Sequence, residues 1–307
     1  LIGLSRKEKT MYSTRFKTLL QREWMQHHLG WLFVMLTAPL LFLVAIPFGQ
    51  IQLDDHMPPP TLLAAAVIGM TTLAVFGITF LVTSFQLSGL ARRDTQDRTI
   101  EFWLSLPGSH SESILATVLM HTVFVFLLAL GIGAAMGVLL SIAALIKVMG
   151  VGALMEVSWW ALLVAGAAGL ARLALGVVLF TLWLSPMFML LMAASAWLKR
   201  WGTPVVIAAV VIGGNVLDKL YGNPIVWKLM QAQFDGAGRA MMDASNQMRD
   251  GSVSPESMPQ FISNFAGWAL NDAGSALAQT ASLHFIVGLA VAAACFGLVI
   301  LYRRQAH

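Results

Sequence analysis

The side chains able to do chemistry are few, and their spacing narrows what the chain can be. Seven histidines, one cysteine and 15 acidic residues are spread over 307 positions. No Gly-x-x-x-x-Gly-Lys-Ser/Thr run occurs, and no Gly-Lys pair at all, so the chain cannot cradle ATP phosphates in a P-loop of its own. A Gly-x-Ser-x-Gly elbow and a His-Glu-x-x-His helix are likewise missing. His27 and His28 are adjacent. On a helix they point to different faces and make a poor metal pair. His121 and His284 fall near the ends of apolar blocks, where a satisfied or interfacial histidine is the better reading. Asp54 and Asp55 precede His56-Met57-Pro58-Pro59-Pro60 and read as a solvated turn rather than a cation site. Cys295 alone excludes a disulfide framework and a cysteine-based zinc site. With no catalytic constellation and no metal or cofactor site, the chain reads as no enzyme.

Three further features have both a functional and a plain reading. Thr71, Thr72, Thr79, Thr83 and Ser84 recur along one apolar block. Such hydroxyls either line a route, with Thr72, Thr79 and Thr83 as its candidates, or bond back to the carbonyl four residues earlier. Arg172 is the one charge near the start of another block. It is either functional, as intramembrane charges often are, or a residue at the membrane edge whose long side chain snorkels to water. Gly133-x-x-x-Gly137 permits close helix packing.

The elements that must position these residues follow from composition. Apolar residues make up 58% and charged residues 11%, against about 25% charged in a soluble domain. An ordinary water-soluble globule and a disordered chain are both excluded. A bilayer core about 30 Å thick needs about 20 apolar residues as a helix. Apolar blocks lie at residues 29–48, 61–85, 114–140, 173–198, 204–217 and 283–302. The fold class expected is therefore an all-α integral membrane protein with six transmembrane helices. The fifth block is short and is expected either to continue to about Tyr221 or to be followed by a re-entrant piece. Pro186 predicts a kink inside the fourth.

Before the first block, Tyr12, Phe16, Leu19, Leu20 and Trp24 fall on one helical stripe with Arg15 and Arg22 beside it. That pattern predicts a helix lying in the membrane interface. Residues 1–28 are thus an N-terminal extension with an interfacial elbow, residues 1–10 looking like an upstream extension with Met11 as a native start. The spans fill 29–217, followed by a helical outer loop at 218–281 and the last span with its tail at 282–307.

The net charge of +4 is small, and its placement reads as a topology signal rather than a nucleic-acid footprint. Arg6, Lys7, Lys9, Arg15, Lys17 and Arg22 precede the first block. Arg92, Arg93 and Arg98 follow the second, Lys199 and Arg200 the fourth, and Arg303 and Arg304 the last. Under the positive-inside rule, six spans with both termini cytoplasmic put all of these on one side. Between residues 114 and 198 that parity allows two spans, not three. Residues at about 150–170 are then expected as a separate outer-face helix, with Trp159 and Trp160 at the interface.

The connection between the second and third blocks is the most informative stretch. Charges are dense through Asp97, Arg98 and Glu101, then Phe102, Trp103, Leu104 and Leu106 follow before Pro107-Gly108. This reads as a short amphipathic helix at about 96–107, held at the membrane surface between two spans. Its aromatic face either lies in the lipid interface or docks a soluble partner.

The run Asp97-Arg98-Thr99-Ile100-Glu101-Phe102-Trp103-Leu104-Ser105-Leu106-Pro107 resembles the coupling-helix region of ABC-2-type transporter permeases. Gln21-Arg22-Glu23-Trp24 is similar to that family's elbow helix, which often carries Arg-Glu before the first span. Residues 182–186 and 196–200 resemble a span of one bacterial branch, so the likeness extends over about residues 11–305. Arg98 departs from it, standing where many members have glycine before the Thr.

The resemblance implies the membrane subunit of a bacterial exporter in the inner membrane, working as a homodimer with two copies of a cytoplasmic ATP-binding cassette subunit. ATP and Mg2+ would sit in that partner, with no cofactor in this chain and no nucleic acid bound. Arg98, Glu101, Phe102, Trp103 and Leu106 would contact the ATPase, and Arg22, Glu23 and Trp24 would belong to the elbow. Two other classes stay open, a lipid-modifying membrane enzyme and a non-transporting scaffold or immunity protein. Membrane lipid is a partner in each.

The charge pattern yields a topology test. A cysteine placed at Ser252 is expected to react with an impermeant thiol reagent added from outside, and one placed at Thr95 is not. External labelling at Thr95 overturns the six-span arrangement.

Overall fold

The structure, a computed structural model, describes residues 6–49, 58–96, 110–243 and 258–305. Its described residues are helical and contain no strand. In chain order α1 is Arg6–Ala45, α2 Pro60–Gln96 and α3 His110–Leu119, which passes through a π-helical turn, Met120–Phe124, into α4, Val125–Met149. A short α5 (Ala153–Glu156) precedes α6, Trp159–Leu198. A 3-10 turn, Lys199–Trp201, leads to α7, Gly202–Tyr221. Then come α8 (Ile225–Met241), α9 (Met258–Gln279) and α10 (Leu283–Gln305).

Among the described residues, five stretches are long and apolar enough to cross a membrane: Thr14–Ala45, Pro60–Leu87, Ser111–Met149, Trp159–Tyr221 and Leu283–Gln305. The fourth is 63 residues long and contains the Lys199–Trp201 break between α6 and α7. Lys199 has φ 54, a left-handed conformation, and a Cβ on Gly202 would fall 2.5 Å from the Ser195 backbone. Only glycine fits so close an approach. The chain therefore turns sharply there, and α7 packs back on α6.

The ends of the helices follow local rules. Gly222 at φ 63 caps α7, with its N–H and that of Asn223 donating to the Leu217 carbonyl. Pro224 cannot continue the helix, and the Asn223 side chain accepts from Ile225 N–H to begin α8. Gly150 at φ 83 ends α4 in the same manner, donating to Ile146.

The core is built on α6, which packs against α2, α7, α8, α9 and α10. Phe76 and Phe80 of α2, Phe126 of α4 and Phe180 of α6 meet with centroids 5.3 to 6.3 Å apart, mostly edge to face. Edge-to-face geometry suits the ring quadrupoles. A second cluster joins Trp31 and Met35 of α1 to Val75 of α2 and to Met120, Val125 and Ala129. α2 and α4 pack backbone to backbone. A Cβ on Gly133 would lie 2.8 Å from Thr72 Cα, and one on Gly137 2.8 Å from Ile68 Cα. Both glycines of the small-residue motif face the α2 backbone, which is how such a motif lets helices touch.

Two elements differ from the sequence expectation. The elbow is not a separate helix: residues 12–24 run on into the first apolar block as one 40-residue helix. No proline or paired glycine breaks the chain there, and Glu23 and Trp31 are buried against other helices. Nor does one separate helix fill 150–170, where only the four-residue α5 stands apart. The chain enters α6 at Trp159 and stays helical to Leu198, so residues 159–170 extend the fourth apolar block along its axis. Parity does not fix where a helix ends, and the charge of Arg172, which lies between these residues and the fourth block, is cancelled inside the protein, so it does not interrupt the helix. Pro186 sits within α6. It removes the N–H that would reach the Leu182 carbonyl, and Ser185 Oγ donates to that carbonyl at 2.7 Å instead.

The α2–α4 contact gives a stability test. Gly137→Leu forces side-chain atoms into the Ile68 backbone and is expected to cost about 1–3 kcal/mol or more. Gly131 of the same helix meets nothing within 4 Å, so Gly131→Ala is expected to be neutral or slightly stabilising. Thermal unfolding in detergent compares the two, and equal midpoints would contradict the packing described.

Candidate functional site

Two polar constellations lie inside this apolar body. The first is built from the N-terminal half of α1 and the α3–π–α4 element. Glu23 and His27 are four residues apart, so one face of α1 presents both. Trp31 continues that face one turn on. Glu23 is 0% exposed. Its Oε1 accepts from Arg22 Nη2 at 2.6 Å and from Thr117 Oγ1 of α3 at 3.2 Å. A buried carboxylate needs such partners, because an unpaired charge away from water is very costly.

His121, also 0% exposed, completes the group from the π turn. Its Nδ1 lies 2.9 Å from the Thr117 carbonyl. The His27 and His121 rings are 5.2 Å apart, and Trp31 meets both, at 5.4 and 5.1 Å. The π turn matters because i→i+5 bonding widens the helix and leaves carbonyls to be met from outside, a feature often found at functional sites. Thr181 Oγ1 of α6 donates to the Thr122 carbonyl there, at 2.9 Å. The turn is thereby tied to α1 on one side and α6 on the other.

The second constellation joins α6, α8 and α9. Arg172 is 3% exposed and Asp272 6%. Arg172 Nε donates to Asp272 Oδ2 at 2.7 Å, and its Nη1 donates to the Ala240 carbonyl at 2.9 Å. The Asp243 N–H donates to Asp272 Oδ1. Arg172 thus does not snorkel; it clamps the end of α8 and the middle of α9 to α6. Gly176, one turn on, lets the Ala240–Met241 backbone approach, since a Cβ there would lie 3.0 Å from it.

Of the residues singled out from sequence, Arg22, Glu23 and Trp24 come together with other groups. Arg22 pairs with Glu23, and Trp24 lies against His28 at 5.6 Å and Trp31 at 6.2 Å. Thr72, Thr79 and Thr83 are buried, and each donates to the carbonyl four residues earlier at 2.7 Å. Arg98, Glu101, Phe102, Trp103 and Leu106 lie outside the described residues. Sequence reasoning missed the Glu23–His27–His121 group. The visible signal was the i,i+4 spacing of Glu23 and His27, obscured by pairing His27 with its neighbour His28. The third member comes from a distant helix. His28 itself turns away, with Nδ1 3.0 Å from the Trp24 carbonyl.

No family model, curated protein or solved structure matches this chain.

The Arg172–Asp272 pair gives a sharp double-mutant test. Asp272→Leu alone leaves the guanidinium buried without its carboxylate and is expected to cost about 3–5 kcal/mol. Arg172→Met combined with Asp272→Leu is expected to recover most of that loss. Denaturation midpoints in detergent measure both, and additive losses would show that the two side chains are not coupled.

Proposed function

We propose that the chain is the membrane subunit of an ABC-2-type exporter in a bacterial inner membrane, supplying the translocation route and the lever that couples it to a separate ATPase. In this reading α1, α2, α3–α4, α6, α7 and α10 are six spans, the α6–α7 reversal at Lys199–Trp201 separating the fourth from the fifth. Both termini then lie in the cytoplasm with Arg22, Lys199, Arg200, Arg303 and Arg304, as the positive-inside rule favours. Leu29, Phe33, Leu41 and Phe42 of α1 and Met70 and Leu81 of α2 are exposed in the isolated chain. They suit lipid and a second copy of the permease.

One observation carries the reading. Residues 21–24 are one of the two stretches that resemble the family, and they meet α3, the helix that follows the other in sequence. Thr117 of α3, two turns beyond His110, bonds Glu23 of α1. α3, into which the segment after α2 leads, is therefore tied to the Arg22-Glu23-Trp24 stretch. A push on that segment would reach the spans through α3 and the π turn. ATP and Mg2+ belong to the partner ATPase, two copies of which serve a permease homodimer.

Copurification tests this. The wild-type chain is expected to recover a cytoplasmic ATPase at equal stoichiometry. Trp103→Ala removes the aromatic side chain that this reading places in the ATPase groove, and as a hot spot it is expected to cost roughly 2 kcal/mol of docking or more. That is about a thirtyfold loss of affinity. Glu101→Lys costs less unless its pair is fully desolvated. Undiminished recovery in both variants and in the double variant would make the segment a lipid anchor and defeat the coupling role.

A further inference from the structure

We propose that Glu23, His27 and His121 bind one divalent transition-metal ion of the Zn2+ class, which staples α1 to the π turn. One ligand atom from each residue lies within 4.8 Å of the others. Around a single ion at 2.0–2.2 Å, tetrahedral ligands sit roughly 3.3 Å apart. The donors must therefore close by about 1–1.5 Å to share one ion.

The chemistry of the donors points the same way. Thr117's carbonyl can only accept, so the ring N–H of His121 facing it, at 2.9 Å, is Nδ1–H. In the neutral ring the lone pair is then on Nε2. A metal-bound histidine is held by this very arrangement, with its second nitrogen donating to a backbone carbonyl. Glu23 is oriented likewise: Arg22 and Thr117 both donate to Oε1, and a carboxylate has lone pairs on both oxygens. Two imidazoles and one carboxylate form a donor set suited to zinc and its neighbours, whereas Mg2+ and Ca2+ favour all-oxygen shells. Burial of Glu23 and His121 shields the site, and the partly exposed His27 gives an ion a way in. Three protein ligands leave a fourth position for water.

Nothing in this proposal depends on the exporter reading, because it concerns one chain's own side chains. The full-length protein in detergent, stripped with a chelator, is titrated with Zn2+ in competition with a chromophoric chelator. Co2+ loading, followed by its ligand-field absorption, reports coordination number. One equivalent per chain is expected, with four-coordinate Co2+ bands and no competition from excess Mg2+.

His27→Ala, at a partly exposed position, and Glu23→Gln are each expected to weaken Zn2+ binding at least tenfold. His28→Ala is expected to leave it unchanged. Absence of stoichiometric Zn2+ uptake by the wild type overturns the proposal. So does uptake that survives both His27→Ala and Glu23→Gln undiminished.

Discussion

A backbone carbonyl or a charge left without a partner in hydrocarbon costs several kcal/mol, and several irregularities in these helices stand beside a side chain that meets that demand. At Pro186 the orphaned Leu182 carbonyl takes Ser185 Oγ. At the π turn, Thr181 reaches across from α6 to the Thr122 carbonyl, and His121 and the Thr122 hydroxyl bond back to Thr117 and Val118. Arg172 is answered by Asp272 and Ala240, Glu23 by Arg22 and Thr117. These are the positions at which the helices could not have remained regular or apolar without loss. They are also where separate helices are tied together by something more directional than packing.

Such ties matter because apolar packing alone discriminates poorly among helix arrangements in a membrane, where lipid tails are as apolar as leucine. Close approach supplies part of the specificity. Gly133 and Gly137 admit the backbone of α2, Gly176 that of α8 and Gly202 the returning chain at Ser195. A larger residue at any of these positions would hold two backbones apart. The polar ties then fix register along the helices. Arg172 can reach both Asp272 and the Ala240 carbonyl at only one axial position of α6 relative to α8 and α9.

The helical character and the apolar stretches were legible because length and composition decide them: a run such as residues 61–85 contains no charge, and in lipid it has no alternative to a helix. The motif at Gly133 and Gly137 was legible as a packing face, though which helix it met was not. What stayed hidden depended on partners distant in sequence. Arg172 read as a membrane-edge residue because Asp272, its counter-ion, lies 100 positions away in a loop region with no marker of its own. The separate helix over 150–170 followed from parity, which counts charges and says nothing of how far one helix runs along its axis. His121 read as bland because its partners, too, are distant in sequence. A lone histidine has no signature until α1 brings Glu23 and His27 beside it, and the π turn that aims it leaves no mark in the sequence.

The two polar constellations also divide the molecule mechanically. Arg172 lies 26 residues before Leu198 on α6, roughly 39 Å along the axis, more than the thickness of a bilayer core. At that end α6 is bound to α8 and α9 by a buried ion pair, so those helices move with it. Thr181 sits nine residues further along α6, where the π turn is held by a single hydroxyl. A neutral hydrogen bond is worth about 1 kcal/mol net, whereas breaking a buried ion pair costs about 3–5. The weaker joint is therefore the one between α6 and the α3–α4 element. Displacement of α3 would strain that joint before it disturbed the Arg172 clamp, and α1 would follow α3 through Glu23. A load on α3 therefore passes to α1 through Glu23 and to α2 through the Gly133 and Gly137 contacts of α4 before it reaches the Arg172 clamp.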